Sequence, residues 1–195
     1  MDSTPTPALR IALPAQWHFR TELPLYIEHV NHGQHLDNAR LIGLVGEARV
    51  RLLRHWGYSE TDVEGVGIVV RDVAAQYRAE AFYGDTLSVA LAVGALRPHG
   101  FDLVWQVSAL ATPERPQTRE IARGRHGIVF FDYATRSKAR VPHAFAERVA
   151  ALREGDQRSH PQKRSVLTVL AMPGGENIEF DPPKLQLVSR PADFS

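Results

Sequence analysis

The chain has 195 residues, of which 44% are hydrophobic and 23% charged, values typical of one globular domain with a modest extension. Basic and acidic residues nearly balance at a formal charge of +1, so no overall field favours nucleic acid or an anionic membrane. The absence of cysteine excludes disulfides, thiolate nucleophiles and cysteine-ligated zinc, and we expect a reducing compartment, the cytoplasm. Charges interrupt every apolar stretch before the ~20 residues that a membrane span needs.

The first fifteen residues are rich in proline and are predicted to form a loose leader. Alternating apolar residues from Trp17 to Val30 predict a first strand, in which Pro24 requires an edge or a bulge. Residues 31–34 have the composition of a turn, and Asp37 or Asn38 is a suitable N-cap for the segment that follows.

An amphipathic pattern predicts one long helix from Ala39 to His55. Its apolar residues recur at helical spacing: Leu41, Leu44, Val45, Ala48, Leu52 and Trp56. Gly43 and Gly46 lie inside this helix, and each costs about 1 kcal/mol relative to alanine. We therefore expect another element to pack closely against the helix backbone.

Beyond the helix the hydrophobic period changes to that of strands. Four segments rich in β-branched and aromatic residues are separated by turn signals: Val66–Glu80, Thr86–Leu96, Phe101–Ala111 and Thr118–Tyr133. Four successive strands predict an antiparallel meander that curls strongly, and Pro142–Arg153 predicts a short closing helix. We expect a domain over residues 16–154 and a C-terminal extension over residues 155–195.

The order of one strand, a long helix and four strands predicts an α+β fold, with the helix wrapped by a curved antiparallel sheet of about five strands. This is the order of the hotdog fold. Residues 31–39, Asn-His-Gly-Gln-His-Leu-Asp-Asn-Ala, followed by Glu-Ala-Arg at 47–49, resemble the loop and central helix of 4-hydroxybenzoyl-CoA thioesterase-like proteins. Residues 34–38 are also similar to a stretch of acyl-ACP thioesterases. The resemblance spans residues 17–153.

This resemblance implies an acyl thioesterase acting on acyl-CoA or acyl-ACP, with CoA as part of the substrate and no separate cofactor. In the family's pattern the usual catalytic aspartate falls on Asn31 and the usual glycine on Gln34. Asp37 occupies the first position of the family's asparagine pair. The chain therefore departs from the family where the family keeps its carboxylate.

Thioester hydrolysis needs a group that takes a proton from water and donors aimed at the developing oxyanion. A helix N-terminus supplies free N–H groups, so the first turn from Asn38 could polarise the thioester carbonyl, with Gly33 and Asn38 contacting the substrate. His35 is the preferred base or water-positioning group, and Asn31 would orient the thioester or the water. The alternative for His35 is a loop histidine that fills the helix entry.

Two acidic residues are further candidates. Asp37 could be a displaced catalytic carboxylate, but an aspartate before a helix is first an N-cap. Glu47 could be a general base or a contact across a dimer interface, or it could form a surface ion pair with Arg51 four residues later.

Other chemistries find little support. His29, His32 and His35 recur every third residue, a spacing that alternates faces on a strand and has no fixed geometry in a turn, so we expect no metal. Five arginines are candidates for binding CoA phosphates, or else belong to a solvated sheet face: Arg71, Arg78, Arg97, Arg123 and Arg125. Motifs of serine esterases, P-loop NTPases and zincins are absent from the sequence.

Two other functions are compatible with the sequence. One is an acyl-CoA-binding hotdog module without hydrolysis, suggested by Asn31 in place of a carboxylate. The other is a structural or partner-binding protein, suggested by the C-terminal extension. In each case an exposed sheet edge predicts a homodimer, or a homotetramer as in many hotdog proteins, with the site at the subunit boundary.

Overall fold

The computed structural model describes residues 10–159, with side chains to residue 154. Its elements in chain order are strand β1 (Phe19–Pro24), a short 3-10 helix (Ile27–His29), helix α1 (Asn38–His55), strands β2 (Gly67–Tyr77), β3 (Thr86–Arg97), β4 (Gly100–Ala109), β5 (Arg119–Asp132) and β6 (Ser137–Lys138), and helix α2 (His143–Ser159). The α+β architecture is confirmed. Residues 10–15 contain no helix or strand, and the rest of the predicted leader and the extension beyond α2 lie outside the described residues.

The strands form one antiparallel sheet in the order β1-β3-β4-β5-β2, and the short β6 pairs with β5. Strands β3, β4 and β5 form the predicted meander. The prediction was wrong for β2, which pairs with β5 rather than with β3 and so becomes an edge strand. The period of a strand shows that β2 exists but carries no information about its neighbour.

The first strand is shorter than predicted. It ends at Pro24, which pairs with Thr86 on β3, and the chain then enters the 3-10 helix. Proline has no N–H for a further ladder bond, so the strand ends where the sequence pattern still alternates.

Helix α1 begins one residue before its predicted start and ends where predicted. The six apolar residues of the predicted helical stripe are all buried, and they join one hydrophobic cluster with side chains of the sheet. Helix α2 closes the same cluster through Phe145, whose ring lies 5.1 Å from that of Phe101 and 5.2 Å from that of Phe130. None of the described helices is both long and apolar enough to cross a membrane.

The expectation of a close neighbour at the α1 glycines was wrong. A Cβ atom at Gly43 would meet nothing within 4 Å, and one at Gly46 would meet only an Arg49 nitrogen at 3.8 Å. The close approach occurs on β5 instead, where a Cβ at Gly124 would lie 2.1 Å from the Trp105 ring. Glycine at this position lets the indole lie across β5 beneath the helix.

His126 is a buried titratable group between α1 and the sheet, with 1% of its surface exposed. An Arg49 nitrogen lies 3.3 Å from its Nδ1, and because a guanidinium only donates, Nδ1 accepts and the ring proton is on Nε2. Burial, and next the positive charge of Arg49, lower the pKa of His126 from 6.5 to about 4. The neutral imidazole is therefore part of the folded state.

We expect this histidine to make the fold sensitive to acid. Between pH 6.5 and 4 the unfolded chain binds a proton that the folded chain does not, so stability is full above pH 6.5 and declines as the pH falls. The decline attributable to His126 is about 3 kcal/mol. Urea unfolding at pH 4 to 7 should show it, and His126→Gln, which keeps an acceptor for Arg49 but does not titrate, should reduce it. Equal pH dependence in both proteins would contradict this assignment.

Candidate functional site

The loop before α1 is a tight turn held by its own backbone. The Asn31 and His35 backbones are joined by a hydrogen bond of 3.0 Å from N–H to carbonyl, and Gln34 N–H donates to the Asn31 carbonyl at 3.0 Å. Gln34 has φ of 62°, in the left-handed region that favours glycine. The family's usual glycine falls on this residue, so the backbone keeps the shape that the resemblance implies although the side chain differs.

The His35 ring is half-buried, and its hydrogen bond indicates the tautomer. His35 Nδ1 lies 3.2 Å from the Leu36 carbonyl oxygen. A carbonyl oxygen only accepts, so Nδ1 carries a proton, and in the neutral ring the lone pair is then on Nε2. The arrangement that suits a general base is therefore already present.

Gly33 lies directly against the His35 imidazole. A Cβ atom at Gly33 would be 2.8 Å from His35 Nε2 and 3.2 Å from the Asn31 side-chain oxygen. A side chain at this position would therefore push the imidazole out of its present place.

Asp37 is the N-cap of α1. Its Oδ1 accepts hydrogen bonds from the N–H groups of Ala39 at 2.8 Å and Arg40 at 3.1 Å. The Asn38 N–H makes no hydrogen bond with any group in residues 10–159. One backbone donor at the positive end of the helix dipole therefore remains available to a ligand.

A cavity of about 270 Å³ opens beside this helix start. It is lined by His35, Leu36, Asn38, Leu41, Tyr77, Arg78, Ala79, Glu80, Ala81 and Ile121. We call it the entry cavity. Two of the predicted site residues, His35 and Asn38, lie on it, whereas Asn31, Gly33, Asp37 and Glu47 are not among its lining residues.

Asn31 lies at the base of the turn, on its other side. Its Oδ1 accepts a hydrogen bond of 2.8 Å from Gly33 N–H, whereas its amide nitrogen makes no hydrogen bond within the part of the chain that the structure describes. Asn31 lines two open depressions, one with Asp37 and Arg40 and one with Phe82 and Tyr83. Where the family pattern has a carboxylate, this chain presents a hydrogen-bond donor.

Glu47 is remote from the entry cavity. It lies nine residues beyond Asn38, about 13 Å along the helix axis. Its Oε1 accepts a hydrogen bond of 2.9 Å from Arg51, and both side chains are exposed. Glu47 therefore forms the surface ion pair with Arg51 that the four-residue spacing allowed.

The remaining candidates are dispersed. The three histidines at 29, 32 and 35 do not converge, since His29 Nδ1 accepts from the Tyr26 N–H and His32 is exposed on the turn. Within residues 10–159 no group of three or more metal-ligating side chains is close enough to hold an ion. Four of the five candidate arginines are paired with carboxylates of the sheet, namely Arg71, Arg97, Arg123 and Arg125.

The sequence analysis missed two residues that shape the site. Tyr77, the last residue of β2, lines the entry cavity and donates from its hydroxyl to the Asn38 carbonyl at 3.2 Å. Asp85 is buried and accepts hydrogen bonds from Arg115 at 2.7 Å and from Arg119 at 3.2 Å. Arg119 also donates to the Glu80 carbonyl at 2.8 Å, so these bonds connect Asp85 to the Glu80 backbone beside the cavity. Strand alternation predicts that Tyr77 shares a sheet face with Ala75 and Val73. It does not predict that Tyr77 lies beside the helix start.

Several solved structures share this fold. A thioesterase superfamily protein from Jannaschia sp. CCS1 aligns with a TM-score of 0.62 at 15% identity, over 70% of this chain and 84% of that one. The 1,4-dihydroxy-2-naphthoyl-CoA thioesterase from Synechocystis aligns with a TM-score of 0.58 at 20% identity, over 73% and 98%. The 4-hydroxybenzoyl CoA thioesterase from Pseudomonas sp. strain CBS-3 aligns with a TM-score of 0.59 at 18% identity, over 66% of this chain and 96% of that one.

At these identities the structures show the fold, and the expected hotdog architecture is confirmed. A sequence comparison with curated proteins finds no match. The model of the thioesterase-like superfamily, however, matches residues 26–149, which include the turn, α1 and all of the main strands after β1. This match confirms the predicted class of enzyme, a thioester hydrolase. The chain belongs to the thioesterase-like superfamily.

Proposed function

We propose that this protein hydrolyses an acyl-CoA thioester at the entry cavity. The observation that supports it best is that two complementary residues line the same cavity: His35, whose Nδ1 is bonded to a carbonyl oxygen, and Asn38, whose N–H makes no hydrogen bond within residues 10–159. One is a proton acceptor and the other an oxyanion donor, the two functions that acyl transfer to water requires.

In the proposed reaction a water gives its proton to His35 Nε2 while its oxygen attacks the thioester carbonyl carbon. The Asn38 N–H, aided by the helix dipole, stabilises the negative charge that forms on the carbonyl oxygen, an effect on the order of 3 kcal/mol for a donor of this kind. Collapse of this intermediate breaks the C–S bond, and the proton on His35 passes to the departing thiolate. The products are the free acid and the free thiol.

CoA is the preferred carrier, and acyl carrier protein is the alternative. Three solved relatives in fold are named for CoA esters of single- or double-ring acids: 4-hydroxybenzoyl, gentisyl and 1,4-dihydroxy-2-naphthoyl CoA. For this chain we propose a small-molecule thioester, without nucleic acid or membrane as partner, and a cytoplasmic location. No separate cofactor or metal enters the proposed reaction.

The His35 assignment is tested with a panel of acyl-CoAs and detection of free thiol. The purified protein should release CoA, and His35→Ala should lower kcat by about 10²-fold, the scale of a lost general base. Gly33→Ala should also lower kcat, because its methyl group would displace the imidazole while leaving its chemistry intact.

His32→Ala is the matched control, since His32 lies on the same turn but is exposed and is not among the residues of the entry cavity. Its kcat should stay within about twofold of wild type. Unchanged turnover in His35→Ala would remove His35 from the mechanism.

A non-hydrolytic acyl-CoA-binding module is the second candidate, and the Asn31 side chain favours it. An amide cannot take a proton from water, and its Oδ1 is already committed to Gly33. In Asn31→Asp the bond to Gly33 N–H can persist while the amide nitrogen is replaced by a carboxylate oxygen. Notably, one solved structure holds 4-hydroxybenzoyl CoA in an aspartate-to-asparagine mutant of its thioesterase.

Asn31→Asp therefore discriminates the two candidates. If His35 is the base, wild type turns over and Asn31→Asp changes kcat by less than about tenfold, because the base remains in place. Thiol release is measured for both proteins, and binding of the acyl-CoA by calorimetry. A wild type that binds acyl-CoA without releasing thiol, beside an active Asn31→Asp variant, would identify the natural chain as a binding module.

We also propose that the protein is a homodimer joined through β2. In residues 10–159 this strand pairs only with β5, so its other edge is open. Apolar side chains along it are exposed, with 42% for Val70, 44% for Val73 and 48% for Tyr77. A second copy would cover them, and because Tyr77 lines the entry cavity, the partner would lie at the site.

Val73→Lys should therefore shift the molar mass measured by light scattering toward that of the monomer, since it buries a charge in the proposed interface. Ile27→Lys is the control, because Ile27 is 70% exposed on the 3-10 helix and away from β2. A monomeric wild type would contradict the shared site. A homotetramer would appear as twice the dimer mass.

A further inference from the structure

Tyr77 connects the end of β2 to the first turn of α1. Its ring lies on the face of the sheet that carries buried Ala122, its cross-strand partner, and it forms one wall of the entry cavity. From there the hydroxyl reaches the Asn38 carbonyl oxygen at 3.2 Å. The bond therefore spans the cavity from the sheet to the helix.

The Tyr77 hydroxyl is a donor. A carbonyl oxygen only accepts, so the phenol must keep its proton to make this bond. Burial raises the pKa of the Tyr77 phenol, and the Asp37 carboxylate, which caps the same helix turn, raises it further. The hydroxyl stays protonated across the working range of an esterase and cannot compete with His35 as a base.

This bond acts on Asn38, a lining residue of the entry cavity whose N–H makes no hydrogen bond among the described residues. Asn38 is the first residue of α1, where a helix has no preceding turn to hold the backbone. The Asp37 side chain holds the N–H groups of Ala39 and Arg40 but not that of Asn38. Tyr77 supplies a fixed point for Asn38 on the opposite wall, and a displacement of about 1 Å at a reacting group can cost about 10²-fold in rate.

We propose that Tyr77 is a positioning residue: its hydroxyl fixes the Asn38 carbonyl and, through the Asn38 Cα atom, the adjoining Asp37–Asn38 peptide, whose N–H would then point at the thioester oxygen. The inference rests on the proposed function of the entry cavity. It adds a tyrosine of the sheet edge to a site otherwise built from the turn and the helix start. Tyr77 acts through Asn38 and takes no part in proton transfer.

Tyr77→Phe isolates the hydroxyl, since the ring and the cavity wall remain. Turnover of the best acyl-CoA should fall about tenfold in kcat with KM within about twofold, because the lost alignment acts on the transition state. The pH dependence of kcat should keep its midpoint, because the base is unchanged. Tyr133→Phe is the matched control, as Tyr133 also donates from an exposed ring to a backbone carbonyl, that of Ile68 at 3.5 Å, and is not among the residues of the entry cavity.

A second measurement is independent of catalysis. In amide nuclear magnetic resonance spectra the Asn38 N–H peak should shift and broaden in Tyr77→Phe but not in Tyr133→Phe, since only the former releases the first turn of α1. The melting temperatures of the two variants should agree within a few degrees.

The outcomes separate the two proposals. If wild type hydrolyses acyl-CoA and Tyr77→Phe matches it in kcat, the positioning role is overturned while the proposed function stands. If wild type is inactive on every substrate, the proposed function fails, and the Asn38 peak still decides the Tyr77 inference. An Asn38 amide unaffected by Tyr77→Phe overturns the inference in either case.

Discussion

The site depends on how the start of α1 is fixed between two other parts of the chain. Leu36 N–H donates to the Ala81 carbonyl at 2.8 Å, and Asp37 N–H donates to the His29 carbonyl at 2.9 Å. These bonds anchor the turn to the segment after β2 on one side and to the 3-10 helix on the other. The Asp37 side chain then caps the helix, a contribution of about 1 kcal/mol. Because neighbouring N–H groups are satisfied in this way, the Asn38 N–H is left as the free donor.

The His35 ring illustrates how backbone geometry selects chemistry. Nδ1 of the imidazole donates to the Leu36 carbonyl, next to it in sequence, so the tautomer of the neutral ring is fixed locally. Gly33 leaves room for the other nitrogen. If His35 is the base, as we propose, it needs no carboxylate partner, which makes the asparagine at position 31 compatible with hydrolysis. The same asparagine braces the turn through Gly33, a structural task that an aspartate would perform equally well.

Four of the five arginines considered for phosphate binding are instead paired with carboxylates of the sheet. Arg125 lies between Asp72 and Asp102, and Arg97 makes two bonds of 2.7 Å to Asp102. The paired carboxylates keep low pKa values through these hydrogen bonds, as at Asp102, whose pKa is lowered first by Arg97. Such exposed networks contribute little individually to stability. Because these arginines are already paired with carboxylates, they are less available to bind a phosphate group.

The sequence by itself determined the elements of this protein and the identity of its central motif. Helical spacing identified the buried face of α1 from Leu41 to Trp56, because a 3.6-residue period depends only on local geometry. The composition of residues 31–38 identified the turn and the cap, and it also supplied the proposed base, His35, within the same eight residues. Only the tertiary structure decided that β2 pairs with β5 and that Tyr77 reaches Asn38. These are contacts between residues far apart in the chain, and they follow from strand order, about which a periodic pattern within each strand is silent.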